Sequence, residues 1–290
     1  MNGFLCIDKP LGPSSFAVTS AVRKRLGVKK TGHVGTLDPL ASGLLVVALG
    51  DFTKLIQYLP AEPKGYEFTI RFGAQTETYD SEGKVTATTE SFPAKAEIEK
   101  VIPQFTGQQH QVPPAYSAVK ISGTPAYKLA RKGEELTLNA RKVTIHALEL
   151  TGFNAGEHTA DFNMTCSSGT YVRSLANDLA ISLGSLGHVC KLRRTRVGVF
   201  GLENAVDFEN IDNARKYIMA VRDIFDTDSI IRLDDQQVNQ LYFGRDITVS
   251  DCRRNGPLIA LDNKDKLTAV LCKVEDSRFH PEKVFIGSEL

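Results

Sequence analysis

The sequence has few of the features that mark secreted, membrane-spanning or metal-binding proteins. Its five cysteines form no Cys-x-x-Cys pair and are odd in number, which argues against a disulfide framework or zinc site and favours the cytoplasm. The longest uninterrupted apolar run, residues 44–49, is too short to cross a bilayer and predicts a buried strand. The opening residues MNGFLCIDKP carry an acid where an export signal is basic, so we expect neither an export signal nor a membrane partner.

Charge is distributed unevenly along the chain. The formal net charge is only +1, so the chain as a whole is not a basic nucleic-acid-binding protein. Basic side chains nevertheless concentrate in residues 1–50, 120–142 and 186–200, whereas residues 201–235 are acidic. Phosphate binding needs a local positive field rather than a positive total. Any one of these stretches is typical of a solvated helix face. Together, the three basic stretches and the separate acidic stretch favour a polyanionic partner.

Strand and helix patterns are mixed without a regular βαβ repeat. This mixture predicts an α+β fold around a mainly antiparallel sheet. Residues 66–72 and 160–166 alternate between apolar and polar side chains, which predicts half-buried strands. Either Ser14 or Ser15 can cap a first helix, and a second helix is predicted over about 170–183.

The pattern changes after the acidic segment that ends near residue 228. Short strands and turns replace the longer elements from there to the end of the chain. We therefore expect two domains, a larger one over residues 1–228 and a small β-rich one over residues 229–290.

The segment with the densest site signal is TGHVGTLDPLASG, residues 31–43, which we interpret as a glycine-rich loop. Its glycines let a backbone approach a ligand closely, and it contains one imidazole, His33, and one carboxylate, Asp38. Asp38 precedes Pro39, so it could instead cap a helix that begins at that proline. The segment matches neither a P-loop nor a DxDGT phosphoaspartate motif, and the chain lacks a GxSxG nucleophile motif.

A second segment, CSSGTYVRSLANDLA, places Tyr171 and Arg173 at a helix start after a glycine turn. A helix N-terminus and an arginine both favour a nearby anion. If Arg173 reached Asp38, it would keep that carboxylate ionised and oriented. Alternatively, Arg173 pairs with a local acid or lies in solvent. Tyr66, at the start of an alternating strand, either packs at the rim of the core or stacks on a base.

Several segments resemble the TruB family of bacterial tRNA pseudouridine synthases, which modify T-loop uridine 55 of tRNA. The resemblance covers most of residues 3–200. The segments are FLCIDKPLGPSS, GHVGTLDPLASGLL, the Tyr66 strand, QVPPAYSAVKISGTPAYKLARKG, CSSGTYVRSLANDLA and GHVCKLRRTRVGVF. The resemblance implies the pseudouridine-synthase fold, a mixed, mainly antiparallel sheet around an RNA cleft, followed by a PUA-like β-rich domain. It also implies isomerisation of a flipped T-loop uridine with no metal and no cofactor.

The same resemblance implies roles for individual residues. Asp38 aligns with the family's essential aspartate, Tyr66 with the tyrosine over the flipped base, and Arg173 with the arginine that pairs with the aspartate. The residues expected to bind RNA, wall its pocket or support the catalytic loop are His33, Tyr171, Leu192, Lys9, Arg193 and Arg194. Asp38 could attack the ribose, attack the base, or act through a glycal-like intermediate, and the sequence leaves these three routes open.

Two other functions fit the same residues. One is a non-catalytic RNA-binding protein, such as a tRNA folding chaperone, and the other is a pseudouridine synthase that acts on rRNA or with a guide RNA. The short tail favours a stand-alone tRNA enzyme. We expect it to be a monomer without an obligate protein partner, and to recognise the T arm of tRNA.

Overall fold

The computed structural model describes residues 1–134, 136–249 and 256–285. The strands are β1 (Gly3–Lys9), β2 (Thr31–Val34), β3 (Ala41–Leu49), β4 (Lys64–Phe72), β5 (Ala74–Thr76), β6 (Val85–Thr88), β7 (Gly107–Gln111), β8 (Lys120–Ile121), β9 (Thr124–Pro125), β10 (Arg141–Asn154), β11 (Thr159–Cys166), β12 (Gly187–Val197), β13 (Phe200–Gly201), β14 (Val206–Asp207), β15 (Ile230–Arg232), β16 (Ile247–Thr248), β17 (Leu258–Leu261), β18 (Leu267–Glu275) and β19 (Arg278–Val284). The α-helices are α1 (Ser15–Leu26), α2 (Lys95–Val101), α3 (Ala126–Ala130), α4 (Val172–Ser182) and α5 (Asp235–Tyr242). None of the helices in these ranges is long and apolar enough to cross a membrane.

A ten-stranded mixed sheet forms the centre of the molecule. Its strand order is β14-β1-β3-β12-β4-β11-β10-β7, with β2 paired to β3 and β13 paired to β12. The β1–β14 and β12–β3 pairs are parallel, and the other described pairs of this sheet are antiparallel. The predicted α+β fold around a mainly antiparallel sheet is therefore confirmed.

The apolar run at 44–49 forms part of β3, as predicted, and its side chains are fully buried on both faces of the sheet. One face packs against α1 through Val18 and Val22. The other face packs against a 3-10 segment, Gly50–Tyr58, and against the C-terminal sheet. Because both faces are covered, this strand can be apolar without alternation.

The alternating strand at 66–72 lies in β4 and presents its apolar side chains to α4. Phe68 of β4 stacks on Phe162 of β11, with ring centroids 5.2 Å apart. Helix α4 begins two residues later than predicted, at Val172, and Gly184 follows it with a φ of 67°. Sheet and helix together fix the place from which Tyr66 and Arg173 project.

The C-terminal region is β-rich, as predicted, with the strand order β15-β17-β18-β19-β16. It also contains α5, a helix that was not predicted from the sequence. Asp234 caps this helix by accepting a hydrogen bond from Gln237 N at 2.7 Å. Part of the predicted strand-and-turn segments, residues 253–255 and 286–287, lies outside the described residues. The boundary between residues 228 and 229 stays a prediction.

Candidate active site

Asp38 lies in the loop between β2 and β3. The sequence predicted one long glycine-rich loop, but Thr31–Val34 pairs with β3 as an antiparallel strand. No helix follows Pro39, since β3 begins at Ala41. The alternative in which Asp38 caps a helix is therefore wrong.

Two side chains from the first elements of the chain hold this loop in place. Ser15 Oγ accepts a hydrogen bond from Leu37 N at 2.8 Å and donates one to Leu37 O at 2.9 Å. Lys9 Nζ donates to Pro10 O at 2.9 Å and to Pro39 O at 3.4 Å. The carbonyls on either side of Asp38 are thus anchored to the sheet and to α1.

Arg194 also supports the loop that carries Asp38. Its side chain is buried, and it donates from Nε to Leu44 O at 2.8 Å and from Nη2 to Gly35 O at 3.0 Å. Arg194 also stands opposite Tyr66 in the β12–β4 register. Burial raises the pKa of Tyr66, and the charge and hydrogen bond of Arg194 oppose that rise. Burial likewise lowers the pKa of Arg194.

The expected RNA contacts of Lys9 and Arg194 need correction. Both side chains are almost completely inaccessible to solvent, at 0% and 1% exposure. Their donors go to backbone carbonyls of Pro10, the β2–β3 loop and β3, so they support the loop that carries Asp38 rather than face a ligand. Burial lowers the pKa of Lys9 to about 8, although the negative charges of Asp38 and Glu82 oppose the shift.

Arg173 reaches Asp38 from the first turn of α4. Nη2 lies 2.9 Å from Asp38 Oδ2 and also donates to Tyr116 O at 2.9 Å. Nη1 donates to Thr78 O at 2.9 Å and lies 3.4 Å from Asp80 Oδ2. The side chain of Arg173 is 4% exposed and that of Asp38 is 38% exposed. A buried guanidinium therefore orients a carboxylate that remains open to a ligand.

Asp80 belongs to this network, although it was not among the predicted site residues. Its side chain is buried, and its Oδ1 accepts from Thr78 Oγ1 at 2.6 Å and from Glu82 N at 3.0 Å. No motif marks this aspartate, which lies in an irregular turn between β5 and β6. Only the spatial approach of Arg173 identifies it.

A cavity of about 230 Å³ opens beside Asp38. Five of the predicted site residues line it, namely Asp38, Tyr66, Tyr171, Arg173 and Leu192. Lys64, which was not predicted, lines it too. Arg141 lies over the ring of Tyr171, with its guanidinium carbon 5.2 Å from the centroid. The cavity thus combines one carboxylate, aromatic and aliphatic walls, and cations.

Four of the predicted RNA-binding residues do not line this cavity: the buried Lys9 and Arg194, and also His33 and Arg193. His33 lies on β2 with Nε2 3.2 Å from Thr36 Oγ1, and burial lowers its pKa. Arg193 pairs with Asp8 at 2.6 Å and lines a larger cavity of about 620 Å³. No group of His, Cys, Asp and Glu side chains in the described ranges could hold a metal ion.

Family models match most of the chain. The N-terminal domain of the TruB family pseudouridylate synthases matches residues 23–172, and the tRNA pseudouridylate synthase B C-terminal domain matches residues 173–232. This chain belongs to the TruB family.

Individual relatives of this TruB-family chain carry the name tRNA pseudouridine synthase B. The protein of Ehrlichia ruminantium (strain Gardel) is 38% identical, over 98% of this chain and 99% of its own. The protein of Caulobacter sp. (strain K31) is 37% identical, over 98% and 96%. The protein of Rickettsia africae (strain ESF-5) is 45% identical, over 84% and 72%.

Solved structures share the fold of this TruB-family chain. A Cbf5-Nop10-Gar1 complex contains a chain with a TM-score of 0.70 and 25% identity, covering 98% of this chain and 85% of that one. An H/ACA RNP bound to a substrate RNA containing 2′-deoxyuridine contains one with a TM-score of 0.72 and 23% identity, over the same shares. The expected pseudouridine-synthase fold is thereby confirmed.

Proposed function

We propose that this chain isomerises a uridine of tRNA to pseudouridine, that the target is T-loop uridine 55, and that Asp38 is the essential carboxylate. The observation that carries the proposal is the 2.9 Å contact of Asp38 with buried Arg173, in a cavity that Tyr66 also lines. The names of the relatives support a tRNA substrate.

The reaction needs an anion that is fixed in place and reachable. The bond from uracil N1 to ribose C1′ breaks, the base turns, and C5 bonds to C1′ while its hydrogen leaves and N1 gains one. Asp38 can serve by attacking the sugar, by attacking the base, or through a glycal-like intermediate. Each route needs an ionised, oriented carboxylate, which the charge-assisted contact with Arg173 provides. The Asp38 side chain is 38% exposed, which leaves it accessible to a substrate.

The target base must leave the T loop to reach this carboxylate. Flipping costs a few kcal/mol, and stacking on the ring of Tyr66 would return ~1–3 kcal/mol of it. Tyr66 and Leu192 line the cavity from neighbouring strands, so a flipped base can lie between them. Exposed cations such as Arg23, Lys24 and Lys191 would hold phosphates of the T arm and make binding weaken with salt.

The decisive variant is Asp38→Asn, which keeps the shape of the side chain but not its charge. A T-arm transcript labelled with tritium at uracil C5 should release tritium with the wild-type protein, and pseudouridine should map to position 55. Asp38→Asn should bind the transcript with unchanged affinity but release tritium at least about 10³-fold more slowly. Glu99→Gln, an exposed acid on α2, is the matched control. Wild-type turnover by Asp38→Asn would contradict the role of Asp38, and pseudouridine at another position would contradict the target.

We propose further that the protein works in the cytoplasm as a monomer, with no obligate protein partner and no cofactor. Light scattering of the purified protein, alone and with tRNA, should give one chain per particle. Its division into a catalytic domain, residues 1–228, and a PUA-like domain, residues 229–290, belongs to the same proposal. A chaperone function would show as tRNA folding by Asp38→Asn at the wild-type level, and it can coexist with catalysis.

A further inference from the structure

The ammonium of Lys64 belongs to the cavity beside Asp38. Lys64 is the first residue of β4, two positions before Tyr66, so both side chains project from the same face of the strand. Its Nζ lies against the catalytic loop, because a Cβ placed on Gly35 would be only 3.1 Å from it. Lys64 and Asp38 thus line the same cavity.

The carboxylates near Lys64 are engaged elsewhere. Asp38 is paired with Arg173, and Glu62 accepts a hydrogen bond from Ser168 N at 2.9 Å. Within the described part of the chain, no hydrogen bond or ion pair engages the Lys64 ammonium. Cys166 opposite it stays a neutral thiol, since burial raises the pKa of Cys166 to about 11.

A second cation sits beside Lys64 and makes this wall of the cavity positive. Gly35 would place a Cβ 3.3 Å from Arg194 Nη1 as well as 3.1 Å from Lys64 Nζ. The donors of Arg194 go to carbonyls of the β2–β3 loop and β3 and to Tyr66, so of these two cations Lys64 is the one whose charged group is free to contact a ligand. Burial and the charge of Arg194 lower the pKa of Lys64, and an incoming anion would reverse that shift.

We propose that Lys64 binds a backbone phosphate of the flipped uridine, an inference that rests on the proposed function. The base itself would occupy the deeper part of the cavity, where Tyr66 and Leu192 are 8% and 7% exposed. Lys64 is only half-buried, so it faces the part of the nucleotide that stays near the surface. A lysine ammonium is a point charge that suits a phosphate, whose negative charge is permanent.

The experiment combines a protein change with a matching RNA change. T-arm RNAs carry a neutral methylphosphonate in place of the phosphate 5′ or 3′ of the target uridine. Wild-type protein should bind one of these RNAs about tenfold more weakly than the unmodified RNA. Lys64→Met should bind unmodified RNA about tenfold more weakly and lose nothing further on the neutral RNA. The slope of log affinity against log salt should also shrink by about 0.7–0.9 in Lys64→Met.

Controls separate this inference from general effects of charge. Lys95→Met, on the surface of α2, removes a lysine that is 61% exposed and does not line the cavity. This variant should bind both RNAs as the wild type does. Lys64→Arg should recover most of the affinity for unmodified RNA, because it restores the charge. Circular dichroism of each variant reports whether it is folded.

Several results would overturn the assignment. One is a wild-type protein that tolerates both neutral phosphates, an outcome that requires no variant to fold. Another is a methylphosphonate penalty as large in Lys64→Met as in the wild type. A third is a slower single turnover at saturating RNA with unchanged affinity, which would mean that Lys64 acts on the base. Failure of the wild type to form any pseudouridine would instead reject the proposed function.

Discussion

Lys9 shows how the site depends on a charged residue that solvent does not reach. Its ammonium is fully buried, yet it remains next to the carboxylate charge of Asp38 and donates to two carbonyls of the surrounding turns. Burial disfavours its charged form, and the pKa falls from its ordinary 10.5 to about 8.

This lowered pKa predicts a dependence of stability on pH. Between about pH 8 and 10.5 the unfolded chain holds the Lys9 proton that the folded chain has lost, so the free energy of unfolding rises with pH. Below pH 8 both states are charged and the contribution is constant. Lys9→Met removes the contribution of Lys9 to the pH dependence of the unfolding free energy. The difference in unfolding free energy, wild type minus variant, should grow across that window when measured by urea titration with circular dichroism. A difference that stays flat would contradict the burial of a charged Lys9.

Individual residues differ in how far the sequence could reveal them. Asp38 and Arg173 lie in distinctive segments, and the structure brings them together. Asp80 lies in a turn without a motif, so nothing in the local sequence distinguishes it from a solvated acid. Arg194 belongs to a run of basic residues that predicts a surface cluster, but its burial depends on the pairing of β12 with β3 and β4. Long-range pairing of this kind leaves no local sequence signal.

At the scale of elements, two adjacent serines at the start of α1 have different structural roles. Ser14 caps the helix by accepting a hydrogen bond from Ala17 N at 3.2 Å. Ser15, one residue later, bonds both backbone groups of Leu37 in the β2–β3 loop. The sequence allowed either serine to be the cap, and the structure assigns that role to Ser14.

The two serines therefore predict different effects of the same substitution. Ser14→Ala should cost about 1 kcal/mol of stability through loss of the cap and leave the rate of pseudouridine formation unchanged. Ser15→Ala leaves buried backbone groups of Leu37 unpaired, at about 1–3 kcal/mol, and should also slow single turnover roughly tenfold because the loop loses its anchor. Thermal melts and tritium release on both variants test this pair. Equal rates in the two variants would argue against Ser15 as an anchor of the site.

The sequence predicted several main strands but missed two elements. Strands β4 and β11 of the central sheet follow from alternation, and β3 follows from its apolar run. Helix α5 was missed because its apolar content is low, although Asp234 and Gln237 form the capping box that marks a helix start. Strand β2 was missed because its glycine and histidine resemble a loop, whereas pairing with β3 makes it a strand.

Over the whole molecule, the C-terminal sheet shares an apolar core with the central sheet. Ile259 and Val270 of the C-terminal sheet pack in one cluster with Phe4 and Val46 of the central sheet. Leu258, next to Ile259 in the chain, points the other way, into a smaller core within the C-terminal region. The two faces of one strand thus serve two different cores.

This arrangement predicts that substitutions at neighbouring residues of β17 destabilise different parts of the molecule. Ile259→Ala and Leu258→Ala should each cost about 2–5 kcal/mol, since both side chains are almost fully buried. Hydrogen exchange should rise in β3 and in the C-terminal sheet for Ile259→Ala, but only in the C-terminal sheet for Leu258→Ala. Identical exchange maps for the two variants would mean that the sheets do not share a core in solution.

The guanidinium of Arg173 joins the β2–β3 loop through Asp38, the β5–β6 turn through Asp80 and Thr78, and the β7–β8 loop through Tyr116. Three segments that are distant in the chain are therefore held together by the side chain of Arg173. Engineering that grafts one of these loops from a relative, to alter substrate choice, would leave the other two shaped for the original partner. The three loops should be exchanged as one cassette, with the helix that carries Arg173 as its fixed base.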